Sequence, residues 1–98
     1  MIITYEINKI IIMETLGSIK SVNRNIDKGS AKAIKLLHRL VFDNDGDRNN
    51  RARLREFRGF KFNKNSAEFE EKVKLVITKF RMAELVLICD MLNIDCED

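Results

Sequence analysis

The 98-residue sequence contains no proline and no tryptophan, and only four glycines and two cysteines. Helices are therefore seldom interrupted, while the tight turns of an all-β fold lack the residues that usually form them. Cys89 and Cys96 lie seven positions apart, too far for a disulfide within one helix, and no CxxC pair offers zinc ligands. These scarcities predict a helical protein whose thiols are reduced and which needs no metal or other cofactor.

Hydrophobic residues make up 45% of the chain and charged residues 34%, which is typical of a soluble globular domain. A chain of this length removes about 60–65% of its unfolded surface from water, enough for one core. The isoleucine-rich residues 1–12 are interrupted by Glu6 and Lys9 and lack a basic leader, so we expect neither a signal peptide nor a membrane anchor. Periodicity allows a strand or a buried helix in this N-terminal extension, and we predict a helix.

The next part of the chain predicts two helices separated by a loop. Ser30 precedes apolar residues at helical spacing, which indicates a helix over Ala31–Phe42. Residues 43–47 are Asp-Asn-Asp-Gly-Asp, and the side chains of aspartate and asparagine form hydrogen bonds with the nearby backbone in turns. This pattern predicts a loop. A short helix is expected over residues 50–57.

Two further helices are expected toward the C-terminus. Asn65 is a candidate helix cap, with Glu68 returning the bond of a capping box. An amphipathic stripe follows, formed by Phe69, Val73, Val76, Ile77 and Phe80. From residue 81 or 82 to residue 92 apolar residues cover more than half of the helix circumference, which predicts a helix buried on two sides.

A cationic stretch, here called the basic segment, lies between positions 48 and 64. It has seven basic residues against one acid, Glu56: Arg48, Arg51, Arg53, Arg55, Arg58, Lys61 and Lys64. After Arg81, in contrast, no basic residue occurs and five acids follow. Clustered guanidinium and ammonium groups neutralise phosphates, so these seven residues are the candidate nucleic-acid-binding site. Considered alone, the bias is explained equally well by a solvated helix face.

Residues that could carry catalysis are few. His38, the only histidine, is expected at the edge of the core of its helix rather than in a catalytic pair. The side-chain oxygens of three acids and one asparagine follow calcium-loop spacing only in part, because Asn50 replaces the glycine of the sharp turn; they belong to Asp45, Asp47, Asn49 and Glu56. No phosphate-binding glycine loop or nucleophile motif occurs. We therefore expect no enzyme and no small-molecule substrate.

Three segments of the chain, taken together, resemble the central region of the DEK family of chromatin proteins, in the same order and at nearly the same spacing. They are residues 36–42 (LLHRLVF), residues 59–62 (GFKF), and residues 79–81 (KFR) followed by residues 85–94. The resemblance spans about residues 13–95. It implies an all-α fold in which a SAP-like region packs on a SAP motif. It also implies a nuclear protein that binds DNA by structure rather than sequence, binds histones, organises chromatin and regulates double-strand-break repair.

The resemblance stops within the SAP motif. Residues 81–92 correspond to the first SAP helix, whereas the sequence ends at Asp98, before a second one. We expect a DEK-like domain over residues 13–98, with apolar surface of the last helix left uncovered; one hypothesis is that the isoleucines of residues 2–12 cover it. Two functions follow as alternatives: DNA binding by the basic segment, or docking of histones or another protein without DNA binding.

Overall fold

The computed structural model describes residues 15–60 and 66–94, and within these two ranges all regular structure is helical. The elements are a short 3-10 helix, Leu16–Ser18, and five α-helices: α1 (Lys20–Lys28), α2 (Ala31–Phe42), α3 (Asn50–Arg55), α4 (Ala67–Lys79) and α5 (Met82–Leu92). The all-α prediction is confirmed. The predicted helix before residue 15, the domain boundary after residue 12, Phe62 and Cys96 lie outside the described residues.

Helix α2 is the centre of the core. Its Leu37 and Leu40 are almost completely buried, and the helix packs against both α3 and α5. Helix α1 lies against the same two helices and buries Val22 and Ile26, while Leu16 of the 3-10 helix packs beside α1 and α3. A core of this kind buries apolar side chains at about 25 cal/mol per Å². Helix α3 is therefore enclosed by the 3-10 helix, α1 and α2.

The ends of α2 follow the local sequence. The Ser30 hydroxyl accepts a hydrogen bond from the Ala33 amide at 3.1 Å, which satisfies one of the unpaired donors of the first turn. At the other end Asp43 adopts a left-handed conformation, with φ 67°, and stops the helix. The predicted range and the loop that follows it are both confirmed.

Helix α4 corrects two details of the prediction. It begins one residue later than a cap at Asn65 would place it, because Ser66 is the capping residue and accepts from the Phe69 amide at 3.1 Å. Ile77, predicted on the buried stripe, is 55% exposed. Helix α4 instead turns Val76 and Lys72 inward, and the Lys72 ammonium donates to the Asp43 carboxylate at 2.8 Å. This bond connects α4 to the end of α2.

Helix α5 packs on one side rather than two. It buries Leu85, Ile88 and Leu92 against α1 and α2. Val86, which the pattern placed against a packing partner, is 43% exposed, and the adjacent Leu87 is 39% exposed. The prediction of burial on two sides is therefore wrong for the described residues, because α1 and α2 both lie against the same side of the helix.

Candidate nucleic-acid interface

Arg51, at the middle of the predicted site, is bonded to the protein itself. Its two terminal nitrogens donate to the carbonyl oxygens of Ile26 and Gly29, the second at 3.0 Å. These carbonyls belong to the C-terminal end of α1, where the last carbonyls of a helix lack partners within it. Arg51 therefore caps α1 from α3, and its guanidinium is directed inward rather than toward a polyanion.

Arg53 belongs to a polar network around the buried His38, which is 1% exposed. The Nδ1 of His38 lies 2.8 Å from the Asn44 carbonyl oxygen, and its Nε2 lies 2.8 Å from an Arg53 nitrogen. A carbonyl can only accept and a guanidinium can only donate, so Nδ1 carries the proton and the ring is neutral. His38, predicted at the edge of the core, is more deeply buried than that, and both of its ring nitrogens have hydrogen-bond partners. The other nitrogen of Arg53 pairs with Asp47 at 3.1 Å.

The loop between α2 and α3 is held by its acids and asparagines. Asp45 pairs with Arg39 at 2.6 Å, and this hydrogen bond lowers the pKa of the Asp45 carboxyl. The pKa of Asp47 is also lowered, first by the backbone amide of Asn49 and then by Arg53. Gly46 permits the turn, with φ 71°. Two of the acids with partial calcium-loop spacing thus face arginines.

Arg55, the third arginine of α3, reaches across to α1. Its Nε donates to the Asn23 side-chain oxygen at 3.0 Å, and its guanidinium forms an ion pair with Asp27. Arg55 therefore neutralises an acid of α1. The three arginines of α3 are structural in this fold, each with a different set of internal partners.

Of the remaining members of the basic segment, the structure describes Arg48 and Arg58, which border different hollows. Arg48 and Arg58 are both exposed, and neither forms an ion pair within the described ranges. Arg48 borders a shallow hollow of about 210 Å³ with Lys35 and Arg51. Arg58 borders a different hollow, of about 400 Å³, beside Glu56. Lys61 and Lys64 lie outside the described residues.

The structure reveals a second group of cations that sequence reasoning passed over. Each of these cations is exposed, and none forms an ion pair within the parts of the chain described. We call this group the cationic surface; it consists of Lys20, Arg24 and Lys28 of α1, Lys32 and Lys35 of α2, and Arg48 of the loop. The first three follow i, i+4, i+8 spacing, which places them on one side of α1, opposite the buried Val22 and Ile26. This spacing is the feature of the sequence from which a cationic side of α1 could have been predicted.

Acidic charge is nearly absent from α1 and α2. Between residues 19 and 42 the only acid is Asp27, and Arg55 neutralises it. Lys28 and Lys32 flank the Gly29–Ser30 connection, so their Cα atoms lie within about 15 Å of each other. Lys35 and Arg48 share one hollow with Asp47, whose carboxylate pairs with Arg53. The cationic surface therefore runs from α1 over the start of α2 to the loop.

A hollow of about 520 Å³ lies between α2 and α4. Its apolar floor includes Leu40 and Val76, and its charged rim includes the pairs Arg39–Asp45 and Lys72–Asp43. Within the described residues no group of three or more histidine, cysteine or acidic side chains could hold a metal ion. The same part of the chain contains no helix long and apolar enough to cross a bilayer.

Comparison with known proteins found no protein-family model, no curated protein and no solved structure that matches this chain. The cationic surface is therefore interpreted from its own chemistry and from the sequence resemblance described above.

Proposed function

We propose that this chain binds nucleic acid through its cationic surface, by contacts to phosphates rather than to base edges. The observation that carries the proposal is six exposed cations on α1, α2 and the adjoining loop, with the one acid among the helices neutralised internally. Such a surface attracts a polyanion by charge alone and fixes its position without reading its sequence.

The spacing of the cations suits a phosphate backbone. Side chains one helical turn apart are separated by about 5–6 Å, and the phosphates of one strand recur about every 3.4 Å along the duplex axis, a spacing that flexible lysines can follow. Four of the six cations are lysines. Because an ammonium is a point charge on a flexible stem, it binds phosphates without the fixed geometry that base recognition by arginine requires.

The resemblance to the DEK family supplies the context of the proposal. It extends the proposed partner to DNA distinguished by structure, in a nuclear and chromatin setting, and adds histones as a second partner. A role in chromatin organisation and in the regulation of double-strand-break repair rests on that resemblance alone. The phosphate contacts rest on this chain's own residues.

The test is a salt series of binding to a duplex and to a four-way DNA junction, with two charge-matched variants. Lys32→Ala/Lys35→Ala removes two cations from the cationic surface, and Lys74→Ala/Lys79→Ala removes two exposed cations from α4. Each phosphate contact contributes about −0.9 to the slope of log K against log salt. We expect the first variant to bind at least tenfold more weakly at low salt and to reduce the slope by nearly two. The second should behave like the unaltered protein.

Equal losses of affinity in the two variants would show that net charge, rather than the position of the cations, governs binding, and would contradict the proposal. An affinity that does not change with salt concentration would also reject it. Binding to histones with no measurable binding to duplex or junction DNA would favour the alternative, a protein-docking module.

A further inference from the structure

The hollow between α2 and α4 has the size and the lining of a site for a small molecule. Its volume of about 520 Å³ falls within the roughly 300–1,000 Å³ that is usual for ligand pockets. Its floor is apolar and is formed by Leu40 of α2, by Leu75 and Val76 of α4, and by Phe80, which follows α4. Helix α4 buries only Lys72 and Val76 among its 13 residues, and both line this hollow. The hollow can therefore accept a ligand with an apolar body.

Lys72 brings a buried positive charge to the hollow. Its side chain is 8% exposed, its ammonium donates to Asp43 at 2.8 Å, and the ring centre of Phe60 lies 5.3 Å from the same nitrogen. An ammonium has three donors, and within residues 15–60 and 66–94 Lys72 makes no second hydrogen bond. A buried charge is costly unless its donors are satisfied. Water can satisfy the two remaining donors, but an anionic oxygen forms the stronger, charge-assisted bond.

The charges around the hollow favour a ligand with one negative charge. Three cations and two acids line it: Arg39, Lys72 and Lys79, and Asp43 and Asp45. Asp45 pairs with Arg39 and Asp43 pairs with Lys72, whereas the exposed Lys79 forms no ion pair within the described ranges. The described lining therefore carries a net charge of +1, which a monoanion would balance.

We propose that this hollow binds a small amphipathic monocarboxylate, with its carboxylate on the Lys72 ammonium and its apolar body on the floor between Leu40 and Val76. The side chains of the floor offer no hydrogen bonds, so the body of the ligand is a hydrocarbon. None of the described lining residues belongs to the cationic surface, so the site is independent of the proposed binding of nucleic acid. The sequence predicted no small-molecule substrate, and the proposal concerns a bound ligand, to which it assigns no reaction.

Titration of the isotope-labelled full chain with octanoate, followed in two-dimensional amide NMR spectra, tests the proposal without any nucleic acid. We expect saturable shifts of the amides of Leu40, Lys72 and Val76, which line the hollow. For a ligand of this size we expect a dissociation constant of about 0.1–1 mM. Octanol has the same apolar body without the charge, and it should bind at least tenfold more weakly.

Two matched substitutions on α4 separate the role of Lys72 from that of net charge. Lys72→Met keeps most of the length of the side chain and removes the ammonium, so octanoate should bind at least tenfold more weakly while the affinity for octanol is unchanged. Lys74→Met, at an exposed position about 200° around the helix, should bind octanoate like the unaltered chain. Circular dichroism checks that each variant is folded. If Lys72→Met is not, Leu75→Trp replaces it, because the larger side chain fills the hollow and should weaken the binding of both ligands.

Several outcomes would overturn the proposal. The first is the absence of saturable shifts up to about 10 mM octanoate. The second is a set of shifts centred on Met82, Val86 and Leu87, because octanoate then covers the exposed apolar side chains of α5 instead of entering the hollow. Equal affinities for octanoate and octanol, or equal affinities of Lys72→Met and Lys74→Met for octanoate, would show that the ammonium does not hold the carboxylate. Octanoate binding by Leu75→Trp as tight as by the unaltered chain would place the ligand elsewhere.

Discussion

Two stretches of this chain are rich in cations, and the fold uses them in opposite ways. Along α1 and the start of α2, Lys20, Arg24 and Lys28 lie four residues apart and remain exposed. Along α3, Arg51, Arg53 and Arg55 lie two residues apart and bond to the protein. Arg53 lies about 200° around α3 from both Arg51 and Arg55, so the three arginines cannot share one face, whereas the three cations of α1 can. Arg51 and Arg55 share a side of α3, but that side faces α1 and both bond to it.

The position of α3 completes the explanation. The 3-10 helix, α1 and α2 surround it, so arginines spread around its circumference meet protein on several sides. A guanidinium presents a planar fork of donors that suits carbonyl and carboxylate groups, and all three inward cations are arginines. Local charge density therefore identifies cations, and helical spacing together with the neighbouring elements decides whether a polyanion can reach them.

Replacing Arg51 should lower the free energy of unfolding more than any other change to the basic segment. Arg51→Ala leaves the carbonyls of Ile26 and Gly29 at the end of α1 without their donor, and an unsatisfied buried group costs about 1–3 kcal/mol. We expect the free energy of unfolding in urea to fall by about 2 kcal/mol or more. Arg48→Ala, in the exposed part of the same segment, should change it by less than about 0.5 kcal/mol. Similar losses in both variants would contradict the assignment of Arg51 to the interior.

Replacing Arg53 should lower the free energy of unfolding by a smaller amount, and that amount should depend on whether His38 is present. Arg53→Met removes the donor to His38 Nε2 and one partner of Asp47, and should cost about 1–2 kcal/mol. If the two side chains act as one unit, His38→Leu combined with Arg53→Met should cost less than the sum of the two single changes. Urea denaturation of the three variants measures this coupling, and strict additivity would argue against the network.

Sequence reasoning predicted the fold better than the site. The cap at Ser30 and the breaker sequence after Phe42 are local signals, so they fixed the ends of α2. The apolar stripe of α4 placed Val76 correctly and Ile77 wrongly, and the inward Lys72 was not predictable from it, because its partner Asp43 lies 29 residues away. The inward arginines were missed for the same reason, since their partners lie on other elements. The cationic surface is different: its i, i+4, i+8 spacing was readable in the sequence.

Arg55 does not belong to the cationic surface, but it should affect DNA binding there by neutralising Asp27. If Arg55 only neutralises Asp27, Arg55→Gln should weaken DNA binding a few-fold by exposing that carboxylate beside Lys20 and Lys28. Adding Asp27→Asn should then restore the original affinity. Fluorescence anisotropy at constant low salt measures both variants. A double variant that binds as weakly as Arg55→Gln would show that the guanidinium itself contacts phosphate.

The smallest expected effect is the pH dependence of stability that comes from the loop between α2 and α3, which contains Arg48. The pKa of Asp45 is lowered by Arg39, and that of Asp47 by the Asn49 amide and Arg53. The folded protein therefore holds these protons less tightly than the unfolded chain, whose carboxyls titrate near pH 4. Their contribution to stability is fully present above about pH 5 and is lost as the pH falls through the lowered values.

Both carboxylates are more than half exposed, so solvent screens the pairs and the contribution is modest. Melting temperatures between pH 6 and pH 2.5 should fall less steeply for Asp45→Asn/Asp47→Asn than for the unaltered chain. The charge-matched Glu70→Gln/Glu71→Gln, on exposed positions of α4, should keep the original slope. If the two double variants flatten the profile equally, acid destabilisation reflects overall charge. In that case the loop that presents Arg48 owes its order to its asparagines and glycine rather than to its ion pairs.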